Sequence, residues 1–264
     1  MLAWLLYLAL GAFVGLLAGL LGVGGGIVVV PMLTFIFTFQ HLPAEHILHL
    51  AIGTSLASII FTSVSSLRAH HVRGAVEWQV LRRITMGIIL GTLAGSWVAA
   101  HLSSRFLKGF FVCFIFYVAL RMLINIKHKP HRQLADAGGM FAAGSLIGGI
   151  SSLVGIGGGS MTVPFLVWCN VPLHTAIGTS AAIGFPIAVA GAVGYVANGL
   201  AVSTLPPWSL GFVYLPSLVG ISLASILTAP LGARLSHNLP VVRLRNIFAI
   251  FLIVIGLKML ADFI

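Results

Sequence analysis

The sequence predicts an all-α polytopic membrane protein made of two inverted repeats, each a broken or re-entrant helix pair followed by three transmembrane helices. Three observations carry that prediction. Hydrophobic residues make up 59% of the 264 and charged residues 7%, with mean hydropathy +1.12, whereas a soluble domain carries roughly 25% charged residues. One glycine-rich phrase is written twice, as Gly22-Val23-Gly24-Gly25-Gly26-Ile27-Val28-Val29-Val30-Pro31 and as Gly155-Ile156-Gly157-Gly158-Gly159-Ser160-Met161-Thr162-Val163-Pro164. The basic residues fall in loops that place the two halves in opposite orientations.

The elements follow in chain order. Residues 3–21 are nearly all apolar, enough to cross a hydrocarbon core of about 30 Å at about 1.5 Å per residue. The glycine run then sits deep in an apolar tract, where it should break a helix. Ile27–Phe39 is apolar but too short to span unaided. The pair therefore reads as a helix and a half-helix, or as a re-entrant hairpin. A polar loop, 40–46, leads to a full span, 47–67. Residues 68–83 carry Arg68, His70, His71, Arg73, Glu77, Arg82 and Arg83. Spans 84–101 and 106–124 follow, joined by a turn at Ser103-Ser104-Arg105.

Residues 126–138, with Lys127, Lys129, Pro130, Arg132 and Asp136, form the most polar stretch. They divide one membrane domain into a first repeat, 1–125, and a second, 139–264. The second half restates the plan: apolar 139–154, the glycine break, the short run Ser160–Cys169, the turn 170–173 and a span at 174–197. An uncharged stretch, 198–208, and spans 209–232 and 243–262 complete it.

The repeat is explicit in the residues. Gly22 and Gly155 lie 155 − 22 = 133 positions apart, as do Pro31 and Pro164. His49-Leu50-Ala51-Ile52-Gly53-Thr54-Ser55 matches His174-Thr175-Ala176-Ile177-Gly178-Thr179-Ser180 at 174 − 49 = 125. Loops 68–83, 126–138 and 233–245 are basic and so belong on the cytoplasmic side. Loop 68–83 aligns with 198–208, which holds no charge, so the halves are inverted. Each repeat crosses an odd number of times whichever way the broken pair runs, which puts both termini outside the cytoplasm. Arg105 and Lys108, on an outside turn, run against the rule.

The same charge distribution limits the function classes. The net charge of +10 comes from 14 Lys+Arg against 4 Asp+Glu. It is explained by topology rather than by nucleic acid, since no aromatic-interleaved basic patch accompanies it. Glu45, Glu77, Asp136 and Asp262 all lie in loops or at ends, which disfavours a cation substrate. Cys113 and Cys169 are far apart in apolar segments and read as core filler. Met1-Leu2-Ala3-Trp4 has no positive n-region, so the first tract reads as a retained helix. No HExxH, no GxSxG with acidic partners and no phosphate loop appear. The expectation is therefore no enzyme, no metal and no cofactor.

In lipid, a broken helix survives only where protein or a water-filled cavity covers the freed backbone groups. Two breaks at matching places mark a transport site. New helices should begin near Ile27 and Ser160, where free N–H groups and the positive dipole end favour an anion. Gly24, Gly25 and Gly26, with Gly157, Gly158 and Gly159, let a substrate approach bare backbone. Pro31 and Pro164 lie one turn into each half-helix, where a missing N–H is tolerated. Close helix packing is the alternative for single glycines, but three in a row, twice, fit a break better. Thr54, Ser55, Thr179 and Ser180 can donate to an oxyanion or bond back to helix carbonyls. His49 and His174 are paired candidates, as proton carriers or as interfacial anchors. Arg68 reads as a snorkelling anchor.

The twice-written GxGGG with its following proline, each copy then followed by AIGTS, resembles the TauE/SafE family of sulfite exporters over essentially the whole chain. The resemblance implies a secondary transporter, an exporter of small sulfur-containing anions such as sulfite or organosulfonates, in the bacterial inner membrane. It implies a site between Gly24–Gly26, Gly157–Ser160, Thr54-Ser55 and Thr179-Ser180. Ile27 stands where the second copy has Ser160, so a hydroxyl is offered by one half only. An anion channel or facilitator, and an accessory protein that transports nothing, are the other readings. The expected partners are a small anion and the lipid bilayer, with no nucleic acid. Oligomeric state is not set by the sequence.

Overall fold

Lipid offers backbone groups no partners, which leaves the helix as the simplest solution for so apolar a chain. In the computed structural model, which describes residues 2–21, 25–124, 134–235 and 241–262, the helices are α1 (Leu2–Leu21), α2 (Gly26–Phe39), α3 (Ile47–His71), α4 (Trp78–His101), α5 (Ser104–Ile124), α6 (Ala137–Val154), α7 (Gly159–Trp168), α8 (Leu173–Gly199), α9 (Leu215–Leu235) and α10 (Val241–Ala261). A small hairpin, β1 (Ser209–Leu210) and β2 (Val213–Tyr214), leads into α9. Helices α3, α4, α5, α6, α8 and α9 contain stretches long and apolar enough to cross a membrane. In α3, 83% of that stretch is buried, and in α8 72%, against 33–39% in the other four. Thus α3 and α8 form the centre and the others turn a side to lipid.

The inversion is visible in how equivalent helices pair. Gly191 and Gly184 of α8 sit against Leu56 and Ser63 of α3, and Gly53 sits against Tyr195. Numbers rise on one helix as they fall on the other, so α3 and α8 are antiparallel. Equivalent α5 and α10 also pair antiparallel: Gly256 packs on Ile115 and Phe116, and Lys108 Nζ donates to the Asp262 carbonyl at 3.0 Å.

Each repeat also lends its first helix to the other half: α1 lies along α9, and α6 along α4. Small residues make this possible by letting backbones touch. A methyl on Gly11 would lie 2.7 Å from Ile221 Cα, and one on its repeat mate Gly144 would lie 2.6 Å from the Ile84 carbonyl oxygen.

The broken pairs are re-entrant. Tyr7 Oη donates to Gln40 Oε1 at 2.9 Å, which ties the start of α1 to the end of α2. Gly26, at the start of α2, lies instead beside Ile59, the middle residue of α3. So α1 enters, the chain breaks, and α2 returns to the same face. That face also holds His46, whose Nε2 lies 3.0 Å from Thr204 Oγ1, and is here called the His46 face. The opposite, Glu77 face holds the start of α6, where Asp136 Oδ1 accepts from Gly139 N at 2.9 Å. From there α6 and α7 make the second hairpin.

Two boundaries differ from the sequence reading. Much of the polar 68–83 is helical, because α3 runs to His71 and α4 starts at Trp78, with the charges carried on helix ends. The span expected at 209–232 begins only at Leu215. Trp208 (φ 69°) and Gly211 (φ 53°) take left-handed turns that fold 209–214 into the hairpin. The linker expected at 126–138 lies outside the described residues as far as 133.

Candidate functional site

The glycine runs place two helix starts in the interior. Gly25 (φ 69°) and Gly158 (φ 75°) are the N-caps of α2 and α7, both left-handed, where glycine carries no Cβ penalty. Their carbonyls accept the first helical N–H groups, from Val28 and Val29 at 3.0 and 3.2 Å and from Met161 and Thr162 at 3.0 and 2.8 Å. The preceding N–H groups, of Gly26, Ile27, Gly159 and Ser160, belong to the turn that a helix leaves without internal partners. Glycine at the N-cap brings no side chain of its own to cap either start. Both positive dipole ends therefore lie in the protein interior. Gly24 lies outside the described residues.

The two breaks touch. A methyl on Gly26 would lie 3.0 Å from Ile156 Cα and would meet the Gly155 carbonyl oxygen. Ser55 Oγ donates to that same carbonyl at 2.8 Å, so a residue of the first AIGTS satisfies a group freed by the second break. Gly155 itself, at φ 73°, closes α6 through its N–H on the Ser151 carbonyl at 2.8 Å.

Beside the junction is a small cavity of about 10 Å3, lined by Ala18, Ile59, Thr62, Ser63, Ser66, Gly157, Ser180, Ala181 and Gly184. That is room for about one water. Ser180 Oγ, on this cavity, and the hydroxyls of Ser160 and Thr162, in the first turn of α7, are buried without a hydrogen-bond partner among the described residues. Buried hydroxyls are normally paired, and these three belong to the second break or face it. The first-repeat counterpart of Ser160, Ile27, is fully buried and offers no hydroxyl.

The threonines of the two AIGTS motifs have other partners. Thr54 Oγ1 accepts from Tyr214 N at 2.9 Å, and Thr179 Oγ1 accepts from Glu77 N at 2.9 Å. Tyr214 and Glu77 are the residues just before α9 and α4. The adjacent glycines admit the same two loops, Gly53 beside the Phe212 carbonyl and Gly178 beside the Ala75 carbonyl. Each Gly-Thr pair is thus a latch on the other half's loop.

The second-tier residues divide similarly. His49 is buried, with Nε2–H donating to the Ala99 carbonyl at 3.0 Å and Nδ1 3.2 Å from Ser104 Oγ. Its repeat mate His174 is exposed. His49 also borders a cavity of about 860 Å3 on the His46 face, where Arg105 and Lys108 are matched by Glu45 and Asp262. Pro31 and Pro164 lie inside α2 and α7, each the sixth helical residue rather than in the first turn. Each removes the N–H that would bond the carbonyl four residues back, on Ile27 and on Ser160.

Sequence reasoning missed Thr62, Ser63, Ser66, Thr162 and Gly184. The signal available was the hydroxyl run Thr62-Ser63-Val64-Ser65-Ser66 within an apolar span.

With this geometry in hand, comparison with known proteins is specific. The family described as Sulfite exporter TauE/SafE matches residues 7–259. A probable membrane transporter protein of Haemophilus influenzae is 36% identical over 257 residues, 97% of each chain. One from Methanocaldococcus jannaschii is 28% identical over 259 residues, 97% of this chain and 94% of its own. The probable membrane transporter protein YunE of Bacillus subtilis is 27% identical over 280 residues, 98% of each. No solved structure matches the chain. The chain is a multi-pass membrane protein that belongs to the sulfite exporter TauE/SafE family, and these relatives are named as membrane transporters.

Proposed function

We propose that the protein is a secondary transporter that exports small sulfur oxyanions, sulfite or an organosulfonate, across the bacterial inner membrane. The observation that carries this reading is that two helix starts without a capping side chain, α2 and α7, lie at adjoining breaks inside the bundle, with Gly26 against Gly155 and Ile156. Their N–H groups and dipole ends favour an anion. The orphan hydroxyls of Ser160 and Thr162, in the first turn of α7, and of Ser180, on the central cavity, add donors around the second break. The substrate site is formed by Gly24–Gly26, Gly157–Ser160, Ser55 and Ser180, with Thr54 and Thr179 holding the surrounding loops.

The two halves, each carrying the other repeat's first helix, rock against each other about this site, and the basic linker 126–138 is cytoplasmic. The Glu77 face is then cytoplasmic and the His46 face outside. A central cavity of only about 10 Å3 favours a carrier over an open pore.

Flux in proteoliposomes tests the proposal. Wild-type protein should move labelled sulfite or ethanesulfonate and show counterflow, and Gly158→Leu should abolish both. No movement of either anion by the wild type, or flux that survives Gly158→Leu, overturns it. Flux without counterflow would replace the carrier by a channel.

A further inference from the structure

A cavity of about 740 Å3 opens on the flank of the bundle between α3 and α9. Ile60, Val64, Ile226 and Pro230 are among its walls, and Arg68 and Arg73 stand at its end. Ile60 is near the middle of α3 and Arg73 just beyond the helix. At about 1.5 Å per residue the groove runs roughly 20 Å. That is the depth of one leaflet, from the centre of a hydrocarbon core about 30 Å thick to the headgroup layer. The walls are apolar where acyl chains lie, and the arginines stand where phosphates lie.

The charge is unmatched within the groove: the chain's four acids are Glu45, Glu77, Asp136 and Asp262, and none lines it. Arginine's planar fork suits a phosphate, to which it donates two N–H groups at once. The feature belongs to one half only. At the 125-residue offset Arg68 and Arg73 correspond to Val193 and Asn198, so the inverted repeat offers no such pair at the other face.

We propose that this groove binds one anionic phospholipid of the leaflet at the Glu77 face, with an acyl chain along Ile60, Val64 and Ile226 and the headgroup phosphate on Arg68 and Arg73. Ser63 and Ser66, on the same helix, line the central cavity. The lipid braces the Glu77-face end of α3, where Phe61 and Val64 are exposed.

The test uses the full chain in detergent, given equal amounts of phosphatidylglycerol and phosphatidylcholine and measured by native mass spectrometry. Wild-type protein should retain one phosphatidylglycerol in preference to phosphatidylcholine by about tenfold or more, as two arginines near the surface imply. Arg68→Gln with Arg73→Gln should bring the ratio to near one, and Val64→Trp, which fills the groove, should remove bound lipid of either kind. Phosphatidylglycerol should also raise the wild-type melting temperature and phosphatidylcholine should not, a readout that needs no variant. Equal retention of the two lipids, or a preference that survives loss of both arginines, overturns the proposal and leaves them as anchors to bulk lipid.

Discussion

Gly26→Ala isolates the contact between the two breaks. Residue 26 is helical, so alanine fits the backbone and helix propensity favours it by up to about 1 kcal/mol. The added methyl, however, would lie 2.9 Å from Ile59 Cδ1 and 3.0 Å from Ile156 Cα, and would press on the Gly155 carbonyl oxygen. The Ile59 methyl ends a flexible side chain and can rotate away. Gly155 and Ile156 are backbone and yield only if the second break moves. Overpacking of this kind costs about 1–3 kcal/mol, so the net loss of stability should be about 0–2 kcal/mol after the propensity gain. Flux should fall further than that loss implies, by more than about tenfold, because about 1.4 kcal/mol at the site already corresponds to tenfold. Thermal unfolding in detergent and sulfite flux in proteoliposomes measure the two effects on one preparation. Adding Ile59→Ala should not restore flux, since the backbone contact remains. Unchanged flux in Gly26→Ala, or full rescue by Ile59→Ala, would show that contact between the breaks does not govern transport.

Thr54→Val should leave Tyr214 N–H without its acceptor, a loss of about 1–3 kcal/mol, and should speed hydrogen exchange at Tyr214 while leaving Glu77 unchanged. Thr179→Val should do the reverse, and equal changes at both amides would contradict separate latches. Ser55→Ala should lower stability by about 1 kcal/mol by freeing the Gly155 carbonyl. Ser180→Ala, which removes a hydroxyl without a partner, should leave the melting temperature unchanged yet reduce flux. Tyr7→Phe should cost about 0.5–1.5 kcal/mol in thermal unfolding by untying the first hairpin's mouth from Gln40.

The helical architecture was legible because lipid permits few alternatives, so long apolar tracts such as 47–67 and 174–197 could only be spans. The breaks were legible because glycine runs oppose helix there. Whether the first pair was re-entrant was not, since that turns on Tyr7 reaching Gln40 across the fold. The hairpin at 209–214 was hidden because its apolar residues look like the opening of the next span. Thr54 and Thr179 drew attention through their repetition, but their partners lie 160 and 102 residues away, beyond any local pattern. Thr62, Ser63 and Ser66 escaped notice because hydroxyls in a helix ordinarily bond back to their own backbone. Thr62 and Ser63 do so while also facing the cavity.

Anomalous diffraction from crystals grown with selenite, the heavier analogue of sulfite, tests most directly whether the two helix starts hold the anion. The expected result is a peak between the amides of Gly26–Ile27 and Gly159–Ser160, close to Ser180 Oγ. A peak confined to the cavity of His46, Arg105 and Lys108, or no peak in protein that moves sulfite, would contradict it.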